Sequence, residues 1–258
     1  MRRISWTCCA LVMAACSDSG PSAEGGTEGP DGTTVAANAP TELDELPAYL
    51  FRHLDDDAAR AEGVTALRDL LGGADELVLP PLTDDDVDGV DHPGDVLDDL
   101  LAAAVLRTSG HTPVDHASHV ALADQTVAFP DSYAQYDRTP VDGDLDELTS
   151  GSSRVRFTDD IVAELSVFQL PYSLDTVARW EGDVLLVRST LPAAACLDEG
   201  LICLEQSFIL DVYAPEGRLS ATWSETTSGI GISDDELLDV LIDGIHATLD
   251  AEEAWLGR

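Results

Sequence analysis

The chain has 258 residues, 44 % of them hydrophobic, which is enough to build the core of one large domain or two small ones. Its net charge is −37, from 13 basic against 50 acidic side chains. Such a surface repels phosphate backbones, so nucleic acid is excluded as a partner and a cationic or protein partner is favoured. All 13 basic residues are Arg. Without lysine there is no phosphate-loop, kinase-type or Schiff-base chemistry of the usual kinds.

Ile4 to Ala15 is an apolar run behind Arg2 and Arg3, broken by Ser5 and Thr7, and it leads into Met13-Ala14-Ala15-Cys16. It is too short for a permanent membrane span and has the layout of an export signal. The stretch resembles the lipobox of bacterial lipoproteins, with Met13 where Leu is usual and Ala14 and Ala15 in keeping. The resemblance implies cleavage before Cys16, a diacylglycerol on its thiol and anchorage to the bacterial envelope, facing the periplasm or the surface. Ser17, not Asp, follows the cysteine; in Gram-negative lipoproteins this implies passage to the outer membrane. A plain secretory signal cut at a nearby Ala-x-Ala-like site is the other reading. The expected division is therefore a signal peptide over 1–15, a flexible Gly/Pro/Ser-rich tether over 16–40, and one α+β domain over 41–258. Within that domain, helices fill 41–150, and a sheet with a final helix fills 151–258.

Thr41 and Asp44 can form a capping box before a helix carrying Leu46, Leu50, Phe51 and Leu54. A second helix is expected over 58–71, on a face of Val64, Leu67, Leu70 and Leu71, ending at Gly72-Gly73. Leu77 to Leu79 is short and β-like, stopped by Pro80-Pro81. Asp84, Asp86, Asp88 and Gly89 then resemble the start of an EF-hand calcium loop, with Asp95 at the twelfth position, where that family carries Glu. Oxygen ligands at alternate positions could wrap one Ca²⁺. A solvated acidic loop is the other reading, since Asp91 and Pro93 sit inside the stretch and Pro80-Pro81 precede it.

Val96, Leu97, Leu100, Leu101 and Val105 predict a helix over 93–107. Thr112-Pro-Val-Asp115 opens another helix, on which His116 and His119 share a face; with His111 and Asp115 or Asp124 they could hold Zn²⁺, or serve as surface and capping residues. Residues 139–153 read as a connecting loop, and 154–170 as one or two strands.

Residues 174–226 read as an antiparallel meander of four strands. Taking Glu181 opposite Val184, Cys196 opposite Cys203 and Ala214 opposite Leu219 puts one set of side chains on one face. That set is Leu174, Ala178, Trp180, Leu185, Val187, Leu191, Phe208, Leu210, Val212, Leu219, Ala221 and Trp223. It makes Cys196–Cys203 a disulfide clip across a hairpin loop, as befits an exported chain, with a metal or free pair as the alternative. On the opposite face Arg188 would lie across from Asp211. Arg179 and Arg188 there could bind an anionic ligand, or belong to an ordinary half-exposed face. Ser233 and Glu236 form a capping box for a final helix over 234–255, striped by Leu238, Ile242, Ile245 and Leu249 and widened by Leu237 and Leu241, that would cover the apolar face.

Helices, an antiparallel meander and a long final helix make an α+β architecture. The order is similar to the helix-grip fold of START-type lipid-binding domains and to cystatin-like sheets. No catalytic motif is present: there is no G-x-S-x-G elbow and no H-E-x-x-H. The reading of the sequence is a lipid-anchored envelope protein acting as a non-enzymatic binding or structural module. A calcium-stabilised module and an envelope hydrolase are the alternatives. The hydrolase would need polar groups converging around His111, His116 and His119.

Overall fold

An antiparallel sheet of nine strands organises the described part of the chain. The computed structural model describes residues 39–94, 96–151, 154–165, 168–197, 202–228 and 233–258. The signal-like segment, Cys16, nearly all of the tether and Asp95 lie outside the described residues.

The strands are β1 Asp75–Val78, β2 Leu101–Arg107, β3 Tyr133–Asp142, β4 Arg154–Leu165, β5 Phe168–Glu181, β6 Val184–Thr190, β7 Ala195–Cys196, β8 Ile202–Ala214 and β9 Gly217–Ser228. Their order across the sheet is β1-β2-β9-β8-β6-β5-β4-β3, with the short β7 paired to β8. Helices α1 Leu46–Arg52 and α2 Asp57–Leu70 precede the sheet. Helices α3 Pro113–Val120 and α4 Leu145–Leu148 flank β3, and α5 Asp234–Leu256 closes the chain. The architecture is mixed α+β.

Both faces of the sheet carry helices, and this corrects the expected single apolar face. Val177, Leu186, Leu210, Val212, Leu219 and Trp223 belong to a core shared with Leu50 and Phe51 of α1 and with Val64 and Leu67 of α2. This first face also receives Leu79, Leu82, Leu97 and Leu100 from the connection between β1 and β2. On the second face Val155, Phe157, Ala178, Trp180, Leu185 and Val187 pack against Ala117 and Val120 of α3 and Leu145 and Leu148 of α4. Helix α5 lies on the same side at the other end, with Leu241, Ile245 and Leu249 against Ala103 and Val105 of β2.

The register explains the correction. Glu181 faces Val184, Ala178 faces Val187 and Trp180 faces Leu185, as the Gly182-Asp183 turn predicts, with Gly182 at φ +60°. Cys196 also faces Cys203, and the two form a disulfide. Val187, however, faces Asp211, not Val212, and Arg188 faces Leu210, not Asp211. Between β6 and β7 the chain leaves the ladder at 192–194, after Leu191 donates to Ser207 O at 2.9 Å, where Pro192 has no N–H to give. One residue of register changes there, and it turns the β8–β9 half of the expected set onto the first face. The last hairpin is also tighter than expected: Ala214 faces Gly217 and Val212 faces Leu219. That two-residue slip preserves the face.

Three further expectations are corrected. The segment 101–107 is a strand, not the end of a helix. Its run Leu-Ala-Ala-Ala-Val-Leu is buried without a break from Ala102 to Leu106, as befits a strand covered on both faces. Helix α1 begins after Glu45 without a side-chain cap, so the Thr41 box is not its start. Residues 139–153 contain the end of β3 and all of α4. The capping boxes at Thr112–Asp115 and Ser233–Glu236 both form.

Candidate functional site

On its second face the sheet carries a stripe of polar side chains running from β3 to β9. Arg138 of β3 reaches Asp159 of β4 at 2.8 Å, and Asp159 accepts from Thr176 of β5 at 3.2 Å. Thr176 Oγ1 in turn lies 2.9 Å from the hydroxyl of Ser189 of β6, from which it accepts while it donates to Asp159. Further along, Asp211 of β8 faces Ser220 of β9, and Tyr213 faces Arg218. Over this end of the stripe the last turns of α5 meet α3.

The meeting point is Glu252. It continues the buried line Leu237, Leu241, Ile245 and Leu249 of α5 and is 2 % exposed. One carboxylate oxygen takes His116 Nδ1 at 2.6 Å and lies 3.4 Å from His119 Nδ1. The other takes the guanidinium of Arg218. Burial pushes Glu252 up, but the hydrogen bonds of the two histidines and the charge of Arg218 outweigh it and hold the carboxyl well below its usual range. Burial lowers His119 in spite of Glu252 and favours the neutral ring. His116 is fixed from a third side by stacking on Tyr213, with ring centroids 4.7 Å apart.

The outer nitrogen of His116 faces the loop between β2 and α3. Its Nε2 is 2.9 Å from Ser109 Oγ. Ser109 Oγ also donates to Glu253 Oε1 at 2.5 Å and accepts from the backbone N–H of His111 at 3.0 Å. His111 Nε2 stands 3.7 Å from the other oxygen of Glu253. Ser109 is half-buried and lines a surface groove of about 480 Å³, together with Gly110, Pro113, Trp180, Gly182 and Pro215.

The candidates drawn from the sequence are spread over the fold. His111, His116 and His119 do come together, but around the carboxylates of α5. Asp115 caps α3 and Asp124 caps the 3-10 turn at Gln125–Val127, so neither completes a metal set. Arg179 and Arg188 lie on the first face. Arg188 donates to Phe51 O at 2.9 Å and Asp55 at 3.1 Å, and Arg179 pairs with Asp57 and, at 3.5 Å, with Asp55. The loop at 84–89 is a series of turns in which Asp86 accepts from the Thr83 N–H at 2.9 Å and the Thr83 hydroxyl at 2.6 Å. Among the described residues, the set of three ligand-type groups within 4.8 Å of one another is Cys196, Cys203 and Glu205, whose sulfurs are joined in the disulfide.

Ser109, Arg218, Glu252 and Glu253 were not singled out from the sequence. One signal was there: Glu252 falls at a stripe position of an amphipathic helix, where an apolar residue belongs.

No family model matches the chain, and no curated protein matches it. Two solved structures are similar in part. The crystal structure of Ara h 8.0201 is 11 % identical, covers 62 % of this chain and 99 % of its own, and has a TM-score of 0.37. A STAR-related lipid transfer protein from Xanthomonas axonopodis is 12 % identical, covers 62 % of this chain and 86 % of its own, and scores 0.38. Likenesses this distant assign neither a family nor an activity.

Proposed function

We propose that this chain is an exported protein of the bacterial envelope, held to the membrane by a lipid on Cys16, whose domain is a binding module for a cationic partner. The compartment rests on the pattern Arg2-Arg3 to Met13-Ala14-Ala15-Cys16, and a Cys196–Cys203 disulfide suits an oxidising location. The observation that carries the binding role is the fate of the arginines. Arg52, Arg60, Arg68, Arg107, Arg138, Arg154, Arg179, Arg188 and Arg218 each lie within ion-pair distance of an internal carboxylate. These nine positive charges are thereby committed to joining helices, strands and loops; Arg156 and Arg258 are exposed, and carboxylates dominate the outward face. Asp235, Asp239 and Asp243, at helical spacing on the exposed side of α5, are an example.

The test has two arms. Native mass spectrometry of the protein extracted from its own membranes is expected to show the mass of a diacylglycerol on Cys16 and the two-hydrogen loss of the disulfide; an unmodified Cys16 would overturn the anchor. Cross-linked envelopes are expected to yield a partner joined through Lys or Arg side chains. Changing Asp235, Asp239 and Asp243 together to Asn is expected to weaken its recovery without lowering the melting temperature. Recovery unaffected by those changes would remove the acidic face of α5 from the binding role.

A specific observation also favours the hydrolase alternative: Ser109, His116 and Glu252 stand in a hydrogen-bonded line.

A further inference from the structure

We propose that Ser109 is a nucleophile for acyl transfer, with His116 as its base and Glu252 as the residue that positions His116. Three contacts define the arrangement: Ser109 Oγ to His116 Nε2 at 2.9 Å, His116 Nδ1 to Glu252 Oε1 at 2.6 Å, and the second oxygen of Glu252 held by Arg218. A carboxylate on Nδ1 fixes the tautomer in which Nε2 is free to take a proton, and the Tyr213 stack fixes the plane of the ring. His116 and Glu252 are each 2 % exposed, whereas Ser109 opens onto the groove. The nucleophile therefore meets solvent while its base and positioning group are dry, where their mutual attraction is strongest. The N–H of His111 donates to Oγ at 3.0 Å and fixes the position of the hydroxyl beside Nε2. Glu253, 2.5 Å from Oγ, competes with His116 Nε2 for the single hydroxyl proton, and rotation about the Cβ–Oγ bond turns that proton from Glu253 to Nε2 before attack.

The reaction is the addition of Oγ to the carbonyl carbon of an ester. The hydroxyl proton passes to His116 Nε2 as the C–O bond forms. The tetrahedral intermediate collapses, the old ester bond breaks, and the leaving alcohol takes the proton back from Nε2. Water, deprotonated by the same nitrogen, then releases the acid and restores Ser109. The groove's Pro113, Trp180 and Pro215 suit an apolar acyl or alcohol group, and the acidic exterior favours a neutral or cationic ester over an anionic one. This assignment does not depend on the anchor or on the cationic partner.

A fluorophosphonate probe tests it on the full-length chain in detergent at pH 7.5. Oγ attacks phosphorus, fluoride leaves, and the adduct stays on the serine. The expected result is one adduct, on the peptide carrying Ser109, and none in Ser109→Ala at an unchanged melting temperature. His116→Gln is expected to slow labelling by about 10²-fold or more, the usual contribution of a positioned base, and Glu252→Gln to slow it in the same sense. Should the buried variants fail to fold, Ser109→Cys serves instead: its thiol beside His116 is expected to alkylate with iodoacetamide faster at neutral pH than an ordinary cysteine. The proposal is overturned if the wild type takes no adduct on Ser109 while a known serine hydrolase is labelled in the same tube. It is also overturned if a folded His116→Gln labels at the wild-type rate, or if the Ser109→Cys thiol reacts like a free one.

Discussion

Asp211 sits on the second face of the sheet, opposite Val187 on one side and Ser220 on the other. Burial pushes its carboxyl up to about 6, despite the Ser220 hydrogen bond and the charge of Arg218. The unfolded chain ionises this group near its ordinary value of 3.8. Between those two pH values the native state holds a proton that the unfolded state has lost, so stability contributed by Asp211 falls as pH rises from about 4 to 6. The Asp211→Asn variant removes that dependence. It is expected to be more stable than the wild type at pH 7, by up to about 3 kcal/mol, with the gain vanishing below about pH 4. Urea melts at pH 4, 5, 6 and 7 measure it, and a constant difference across that range would contradict it. The same face shows why the Ser109 site was hard to read. Its serine lies in a loop, its histidine on α3 and its carboxylate on α5, and the Ser109–Glu253 contact joins residues 144 apart in sequence. No local spacing encodes such a meeting. The three histidines were visible as a group because their positions fall within one loop and one helix.

Strands and helices were legible where the chain's own period settled them. The α5 and α3 capping boxes and the Glu181–Val184 hairpin are local patterns, and each forms; the α5 stripe forms with Leu237 and Leu241 at its centre and Leu238 and Ile242 at its edge. Strand β2 was not legible because Leu101-Ala-Ala-Ala-Val105-Leu106 has strong helix formers throughout, and only burial on both faces makes it a strand. The face of β8 could not be counted through Pro192, where one residue leaves the ladder. The disulfide lies just past that break and pins β7 to β8 at Cys196 and Cys203, whose separation is 7. Closing so short a loop removes about 2–3 kcal/mol of unfolded-chain entropy. Replacing both cysteines by Ser is expected to lower stability by that amount and leave the core strands' far-ultraviolet spectrum unchanged. An equally stable double variant in a denaturant titration would show that the register is held by β8–β9 pairing alone.

At the scale of the molecule, like charge dominates. A surface ion pair contributes only about 0–1 kcal/mol, whereas a net charge of −37 opposes compaction over the whole exterior. Salt screens both, and the repulsion is the stronger of the two. Raising sodium chloride from about 0.05 M to 0.5 M is therefore expected to raise the melting temperature in scanning calorimetry. A fall would mean that the arginine pairs outweigh the repulsion. The strand order has a consequence of a different kind. Arg107 of β2 pairs with Arg218 of β9, so the first half of the chain cannot complete its sheet until the last strand exists. A topology this rich in distant pairings folds slowly, on the order of milliseconds to seconds. A chain emerging from the ribosome therefore stays open until nearly its full length has been made. Under the proposed export, that delay would be useful: the connectivity would keep the chain unfolded, and so fit for transport, until its last strand had been made.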